Sequence, residues 1–285
     1  MRRLPCSLTI AAAVVAMSGC SATSPPVLPE GVTVTVFQSR FDYGARVLEI
    51  KVANGSDAPL TILRAAFEST QFAGPVSWDR ETGIPIGSAR DLRVHLPDPV
   101  CDGAAEPSAS VALDFELADG TKGSARVSPD DPMSQLEAIA AADCLVVAVE
   151  RHASITAVDA LDWIPGTRSP AVLGIVIDPT GADGTLEITS ARDTVLFALL
   201  AADGSPSSSE SLDIVIGPDS RETIVRLELV PNRCDPHAVA EDKRGTFFPL
   251  EVSTSEGATG TVWIPVSAGV KGELYAFVAS WCGVE

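Results

Sequence analysis

The sequence predicts an all-β chain built as two tandem antiparallel β-sandwiches, each with a short helix or turn before its second cysteine. Two observations predict it. Apolar residues recur at every second position in many short runs, and the same ordered set of segments occurs twice. Alternation of this kind puts one set of side chains on a buried sheet face and the intervening set in water. Five corresponding segments in the same order identify two copies of one module, at roughly 31–151 and 152–285.

Each copy opens on a strand, "VLEIKV" at 47–52 and "VLGIVI" at 172–177. Leu48, Ile50 and Val52 alternate with Glu49 and Lys51, which predicts Glu49 on the wet face. Turn-rich stretches follow, "ANGSDAPLTI" and "DPTGADGTLEI", and then "LPDPVCD" ending at Asp102 and "LVPNRCD" ending at Asp235. Next come "FELADGTKGSARVSP" and "VSTSEGATGTVWIPV", each two strand candidates around a glycine-containing turn. Val111, Leu113, Phe115 and Leu117 alternate with Asp114 and Glu116; in the second copy Val225, Leu227 and Leu229 flank Arg226 and Glu228, and Val262, Ile264 and Val266 repeat the rhythm.

Finally "LEAIAAADC", 136–144, matches "LYAFVASWC", 274–282. In the longer stretch "DDPMSQLEAIAAADC", Pro132, Leu136, Ile139 and the alanines favour a short helix leading to Cys144, whereas the second segment is richer in β-branched and aromatic residues. Copies of about a hundred residues or slightly more, with several strands separated by Gly, Pro, Asp and Ser turns, make immunoglobulin-like the nearest architectural label. That label concerns layers and not function. Between the copies "CLVVAVERHASITAV", 144–158, has no Pro/Gly/Ser spacer, so a stiff pair is expected, with a strand shared across the boundary.

Residues 1–19 read as a secretory signal: Arg2 and Arg3 precede a largely apolar run, Leu8 to Met17, and the small residues Ser18 and Gly19. That run is too short to span a bilayer. "MSGC", Met17 to Cys20, resembles the lipobox of bacterial lipoproteins, with methionine where leucine is commoner. The resemblance covers the leader alone. It implies cleavage before Cys20, a diacylglyceryl group on its sulfur, and a membrane partner reached through that lipid. Residues 20–30 would then be a lipidated Ser/Pro-rich tether. The expected location is the cell envelope, outside the cytoplasm. Without Arg2 and Arg3 the chain carries 18 basic against 38 acidic residues, a net −20. Such an excess disfavours nucleic acid and other polyanions as partners.

Cys101, Cys144, Cys234 and Cys282 remain after Cys6 leaves with the leader and Cys20 takes the lipid. Four cysteines allow three pairings. The duplication selects Cys101 with Cys144 and Cys234 with Cys282, each within its own copy. A four-cysteine zinc site is the competing reading, but the widely separated single cysteines lack CxxC spacing.

Chemistry-bearing residues are densest in "RCDPHAVAEDK", 233–243. Asp235 can cap a short helix with Pro236 at its first position, which puts His237 and Glu241 four residues apart on one face. His237, Glu241 and Asp242 can serve acid–base or metal chemistry; the plainer alternative is a surface ion pair or hydrogen bond. No GxSxG elbow, HExxH, P-loop or paired GxGxxG occurs, and no cofactor or metal is expected. His95 falls in a strand-like run and His152 at the copy boundary. "DPTGADGT", 178–185, departs from calcium-loop spacing and reads as a turn, and "DGSPSSSES", 203–211, reads as a loop. Trp78 beside Asp79 and Arg80, in an expected loop, and Trp163 in "LDWIPG" are the candidates for a sugar-binding face, with core or interdomain anchoring as the alternative. Trp281 is expected to pack against the neighbouring disulfide. The expected function is a non-enzymatic, lipid-anchored binding or scaffold module with an envelope protein partner. Glycan or cell-wall binding is the alternative, and an extracellular metal-dependent hydrolase using His237 the third reading.

Overall fold

The computed structural model describes residues 27–103, 106–235, 237, 239, 242 and 244–283; the leader, Cys20, most of the tether and Glu241 lie outside the described residues. In chain order the first half carries β1 (Val32–Phe37), β2 (Val47–Asn54), β3 (Leu60–Ser69), β4 (Val76–Trp78), β5 (Thr82–Ile84), β6 (Ser88–His95), β7 (Ala109–Leu117), β8 (Lys122–Val127) and α1 (Gln135–Glu150). The second carries β9 (Ala153–Ala157), β10 (Ala171–Pro179), β11 (Leu186–Arg192), β12 (Phe197–Leu200), β13 (Pro206–Ser207) and β14 (Ser209–Ile216). It continues through β15 (Thr223–Pro231), β16 (Phe247–Thr254), β17 (Thr259–Pro265) and α2 (Ala268–Cys282).

Each half is a two-sheet antiparallel sandwich. β1-β2-β6 faces β4-β3-β7-β8, with β5 also on β3; in the second half β13-β12-β15-β10-β9 faces β14-β11-β16-β17. The three-strand path β1-β2-β6 is repeated as β9-β10-β15, and β3-β7-β8 as β11-β16-β17. A finer detail recurs as well. The register of β3 on β7 shifts between Ile62 and Arg64, and that of β11 on β16 between Ile188 and Ser190, at the same offset from the strand start. A bulge at matching places in both sheets bends them alike.

Alternation fills the space between the sheets. Leu48, Ile50, Val52, Val111, Leu113 and Phe115 are buried in the first core, and Val225, Leu227, Leu229, Val262 and Ile264 in the second. Glu49 departs from the expected wet face, since only 8% of it is exposed. The β1–β2 connection folds back over it, so this part of the outer sheet face is roofed. Of residues 203–211, expected as a loop, 203–205 form a turn, while 206–207 are β13 and 209–211 the start of β14: Ser207 pairs with Leu199 and Ser211 with Ser190. The serines lie in short edge strands, where partners on one side suffice.

Disulfides join Cys101 to Cys144 and Cys234 to Cys282, with Cα atoms 5.4 and 5.3 Å apart. Each ties the connection after β6 or β15 to a helix. Both segments before the second cysteine are helical, as the first was expected to be, and at 16 and 15 residues they are longer than the short helix or turn expected. α2 overcomes its β-branched composition by burial: Val270, Leu274, Phe277 and Val278 are spaced to share one face and are all buried. Ser267 accepts a hydrogen bond from the Val270 N–H, and Gly283 closes the helix in the left-handed region, at φ 66°. At α1 the cap is Asp131, whose carboxylate accepts from the N–H groups of Gln135 and Leu136, both at 2.9 Å.

The stretch after Cys144 is the main correction to the expected boundary. Residues 144–150 continue α1 rather than forming a strand across it, and β9 begins only at Ala153. Packing explains the choice. Leu136 and Ala140 enter the first core, Leu145 and Val149 the second. At about 100° per residue the two pairs lie on opposite sides of the helix. A strand over the same residues would point alternate side chains to two faces but could not reach both cores in succession.

Candidate functional site

Among the described residues, those singled out by sequence do not converge. Asp235 accepts a hydrogen bond from the His237 N–H at 3.0 Å, as a capping residue does, and the His237 side chain is exposed. Asp242 serves the local fold: its carboxylate accepts from the Gly245 N–H at 2.5 Å and from the Tyr275 hydroxyl at 3.0 Å. Burial and this carboxylate push the Tyr275 phenol above its ordinary range. Among the described residues no group of three or more His, Cys, Asp and Glu side chains is placed to hold a metal ion.

Trp78 ends strand β4 instead of lying in a loop. Its indole N–H donates to the Arg80 carbonyl at 2.9 Å and to the Thr82 hydroxyl at 3.0 Å, and the Arg80 guanidinium lies 3.9 Å over the ring. Trp163 packs edge-on against Phe277 at 5.8 Å, and Trp281 does so from another side at 5.7 Å. His95 stands exposed at the end of β6, its Nδ1 3.2 Å from the Ala45 carbonyl oxygen. His152 is buried where the halves meet, with Nε2 3.0 Å from the Glu256 carboxylate. That hydrogen bond holds Glu256 down to about 2.

A site does form where the halves face each other. A cleft of about 450 Å³ is walled by α1, by the β1–β2 connection of the first sandwich and by β16 and β17 of the second. It runs past Arg46 and Arg244 into a smaller pocket of about 290 Å³. These are dimensions of a small-molecule or short-peptide site.

The first wall is fixed from below. The Gln135 side chain clamps the Gln38 backbone, accepting from its N–H at 2.9 Å and donating to its carbonyl at 3.2 Å. Arg46 holds the other end in the left-handed region, at φ 50°, a conformation disfavoured for residues with a side chain. Its Nη2 donates to Asp143 at 2.6 Å and to the Pro97 carbonyl at 2.8 Å, which compensates the strain. Gly44 permits the close crossing: a Cβ there would lie 2.8 Å from the tip of the Phe247 ring, which would have to shift. Within this connection Asp42 is buried, accepting from the Ser39 hydroxyl at 2.7 Å and paired with Arg93.

Glu49 lies against Asp42. Burial first, then the hydrogen bond and repulsion from Asp42 and repulsion from Asp91, push its carboxyl up to about 7 against the attraction of Arg93. A carboxyl whose folded value is raised stabilises the fold most below its unfolded value of 4.5, and that contribution is lost as pH rises through about 7. Glu49→Gln keeps the neutral form at every pH. Its melting temperature is expected to match the parent near pH 4.5 and to exceed it increasingly up to pH 8. Thermal unfolding across that range checks the sign, and a variant equally or less stable at pH 8 would refute the buried neutral acid.

The second wall presents Arg244. Its guanidinium carbon lies 3.8 Å from the centroid of the Tyr43 ring and 4.8 Å from that of Trp263. Burial lowers its ordinarily very high pKa while Tyr43 opposes the shift. Sequence reading missed Tyr43, Arg46 and Arg244, which come from separate segments. Trp263 carried a legible signal: it is the outward residue between buried Val262 and Ile264, and 40% of it is exposed. An indole on a wet sheet face stands out from the polar residues usual there.

No protein-family model matches the chain, and no curated protein matches its sequence. Among solved structures it is similar to the transglutaminase of red sea bream, at 12% identity and TM-score 0.25, covering 83% of this chain and 31% of that one. It is also similar to the B domain of a biofilm associated protein, at 8% identity and TM-score 0.25, covering 81% and 84%. A third is CBD12 of CALX1.2, at 12% identity and TM-score 0.21, covering 74% and 75%. At such values none of them informs on function, and the fold rests on the strand order given above. Two disulfides fit an extracytoplasmic protein. Among the described residues no helix is long and apolar enough to cross a membrane.

Proposed function

We propose that the chain is a non-enzymatic binding or scaffold module of the cell envelope, held to the membrane by a lipid on Cys20 and engaging an envelope partner in the cleft between its sandwiches. The cleft carries this reading: its walls come from both sandwiches and from the helix between them, and the Arg46–Asp143 ion pair ties the β1–β2 connection to that helix within one wall. The lipobox-like "MSGC" supports the anchor, the 16-residue span Gly31 to Arg46 reaches from tether to cleft wall within one hairpin, and the net acidity turns polyanions away.

Photo-crosslinking in the native cell tests it. A benzophenone amino acid in place of Val146, a 40%-exposed residue of the cleft, is expected to give a discrete adduct with an envelope component. The same probe in place of Val215, on β14 at the far edge of the second sandwich, is expected not to. In parallel Cys20→Ser is expected to move the chain from the membrane fraction to the soluble fraction. Identical adduct patterns from both probe positions overturn the cleft, and a serine variant that stays with the membrane overturns the anchor.

A further inference from the structure

Arg244 differs from the other arginines near it. Arg46 is paired with Asp143 and Arg93 with Asp42, whereas no described residue accepts a hydrogen bond from the Arg244 guanidinium or pairs with it as an acid. Its contacts are the rings of Tyr43 and Trp263. Stacking uses the flat of a guanidinium and leaves its in-plane N–H groups at the edge, arranged as a fork that matches a carboxylate. The residue is also partly withdrawn from water in a walled cleft, where a charge-assisted hydrogen bond gains strength.

The rest of the cleft narrows the ligand class. Val146, Val147 and Pro265 offer apolar surface next to Arg244, while Asp98 and Glu150 border the opening. Arg46 is paired with Asp143 and lies 4.0 Å from Asp98, so among the described residues of the lining Arg244 is the cation left unpaired, with Glu150 the carboxylate left without a cation. A single negative charge suits Arg244, and a phosphomonoester or longer polyanion is repelled. Taking the chain as a binding module, we propose that the cleft recognises a monocarboxylate on an apolar body, with the carboxylate on the Arg244 fork and the body against Val146, Val147 and Pro265. The chemistry is shared by two sources, the carboxyl end of an apolar peptide and a free branched-chain acid.

The test uses the full lipidated chain in nanodiscs and saturation-transfer difference NMR, with empty nanodiscs subtracted. The probes are N-acetyl-leucyl-leucine, its carboxy-terminal amide, and 4-methylpentanoate. The free-acid peptide is expected to bind and its amide to bind about tenfold more weakly or less, the usual penalty for losing a charge-assisted hydrogen bond. Arg244→Gln is expected to abolish the difference between acid and amide, with unchanged circular dichroism and melting. Arg244→Lys, which keeps the charge and loses the fork, is expected to fall between. Binding of 4-methylpentanoate as strong as that of the peptide assigns the site to small acids, and peptide-only binding assigns it to chain ends; either supports the proposal. Equal binding of acid and amide, retention of the difference in Arg244→Gln, or no binding of any carboxylate probe overturns it. If the probes fail while the Val146 adduct persists, the carboxylate assignment falls and the binding module stands.

Discussion

Replacing Cys234 and Cys282 together by serine is expected to lower the stability of the chain by about 4 kcal/mol and its melting temperature by roughly 10 °C or more. The bond closes a loop of sequence separation 48, and cross-linking a loop of that length removes much of the conformational freedom of the unfolded chain. Local geometry adds to the effect. The connection from Arg233 to Arg244 is tied down at one end by Cys234 and at the other by Asp242, which holds the Tyr275 hydroxyl on α2. Without the bond, α2 keeps its apolar face on the core but loses its covalent attachment to that connection. Non-reducing denaturant unfolding of the double-serine variant against the parent checks the figure, and an unmoved midpoint would contradict it. Replacing both cysteines avoids leaving a thiol free to form new bridges.

Phe277→Ala is expected to cost about 3–5 kcal/mol, the range for truncating a fully buried phenylalanine. Phe277 is 1% exposed and is the aromatic centre of the second core. Its ring centroid lies 5.8 Å from that of Trp163, 5.7 Å from Trp281 and 6.4 Å from Phe197, which in turn stacks on Phe248 at 6.2 Å. Deleting it removes apolar area and leaves a cavity bordered by large rings that cannot easily collapse inward. Trp163 and Trp281 then lose a common neighbour, so tryptophan fluorescence is expected to shift to the red in the folded variant. Equilibrium unfolding followed by fluorescence reads both effects. Phe277→Leu, which retains part of the volume, is expected to lose less. A variant as stable as the parent would show that α2 is not an integral part of the core.

These two sites also mark what the sequence made legible. The cysteine pairing followed from the repeated order of segments, without knowledge of any distance. The sheets followed from alternation in stretches such as Val111 to Leu117, where one face is buried and the other wet. Residues 144–150 could not be read the same way, because a short apolar run with Val146, Val147 and Val149 suits a buried strand and a buried helix equally. Its state was decided by having a core on either side. Glu49 was misplaced because alternation knows nothing of a loop folding over the outer face. The cleft left almost no local trace: Tyr43, Arg46, Arg244 and Trp263 belong to different elements, and only the odd placement of Trp263 on a wet strand position pointed towards it.

The helix between the sandwiches has a mechanical meaning for the gap it borders. Prying the shells apart would strip Leu136 and Ala140 from one side or Leu145 and Val149 from the other, at about 1.5–3 kcal/mol for each fully buried leucine or valine. A rod seated in two sockets therefore sets the width of the opening before anything arrives. Whatever enters meets a jaw already fixed, and its affinity is not reduced by the work of closing it.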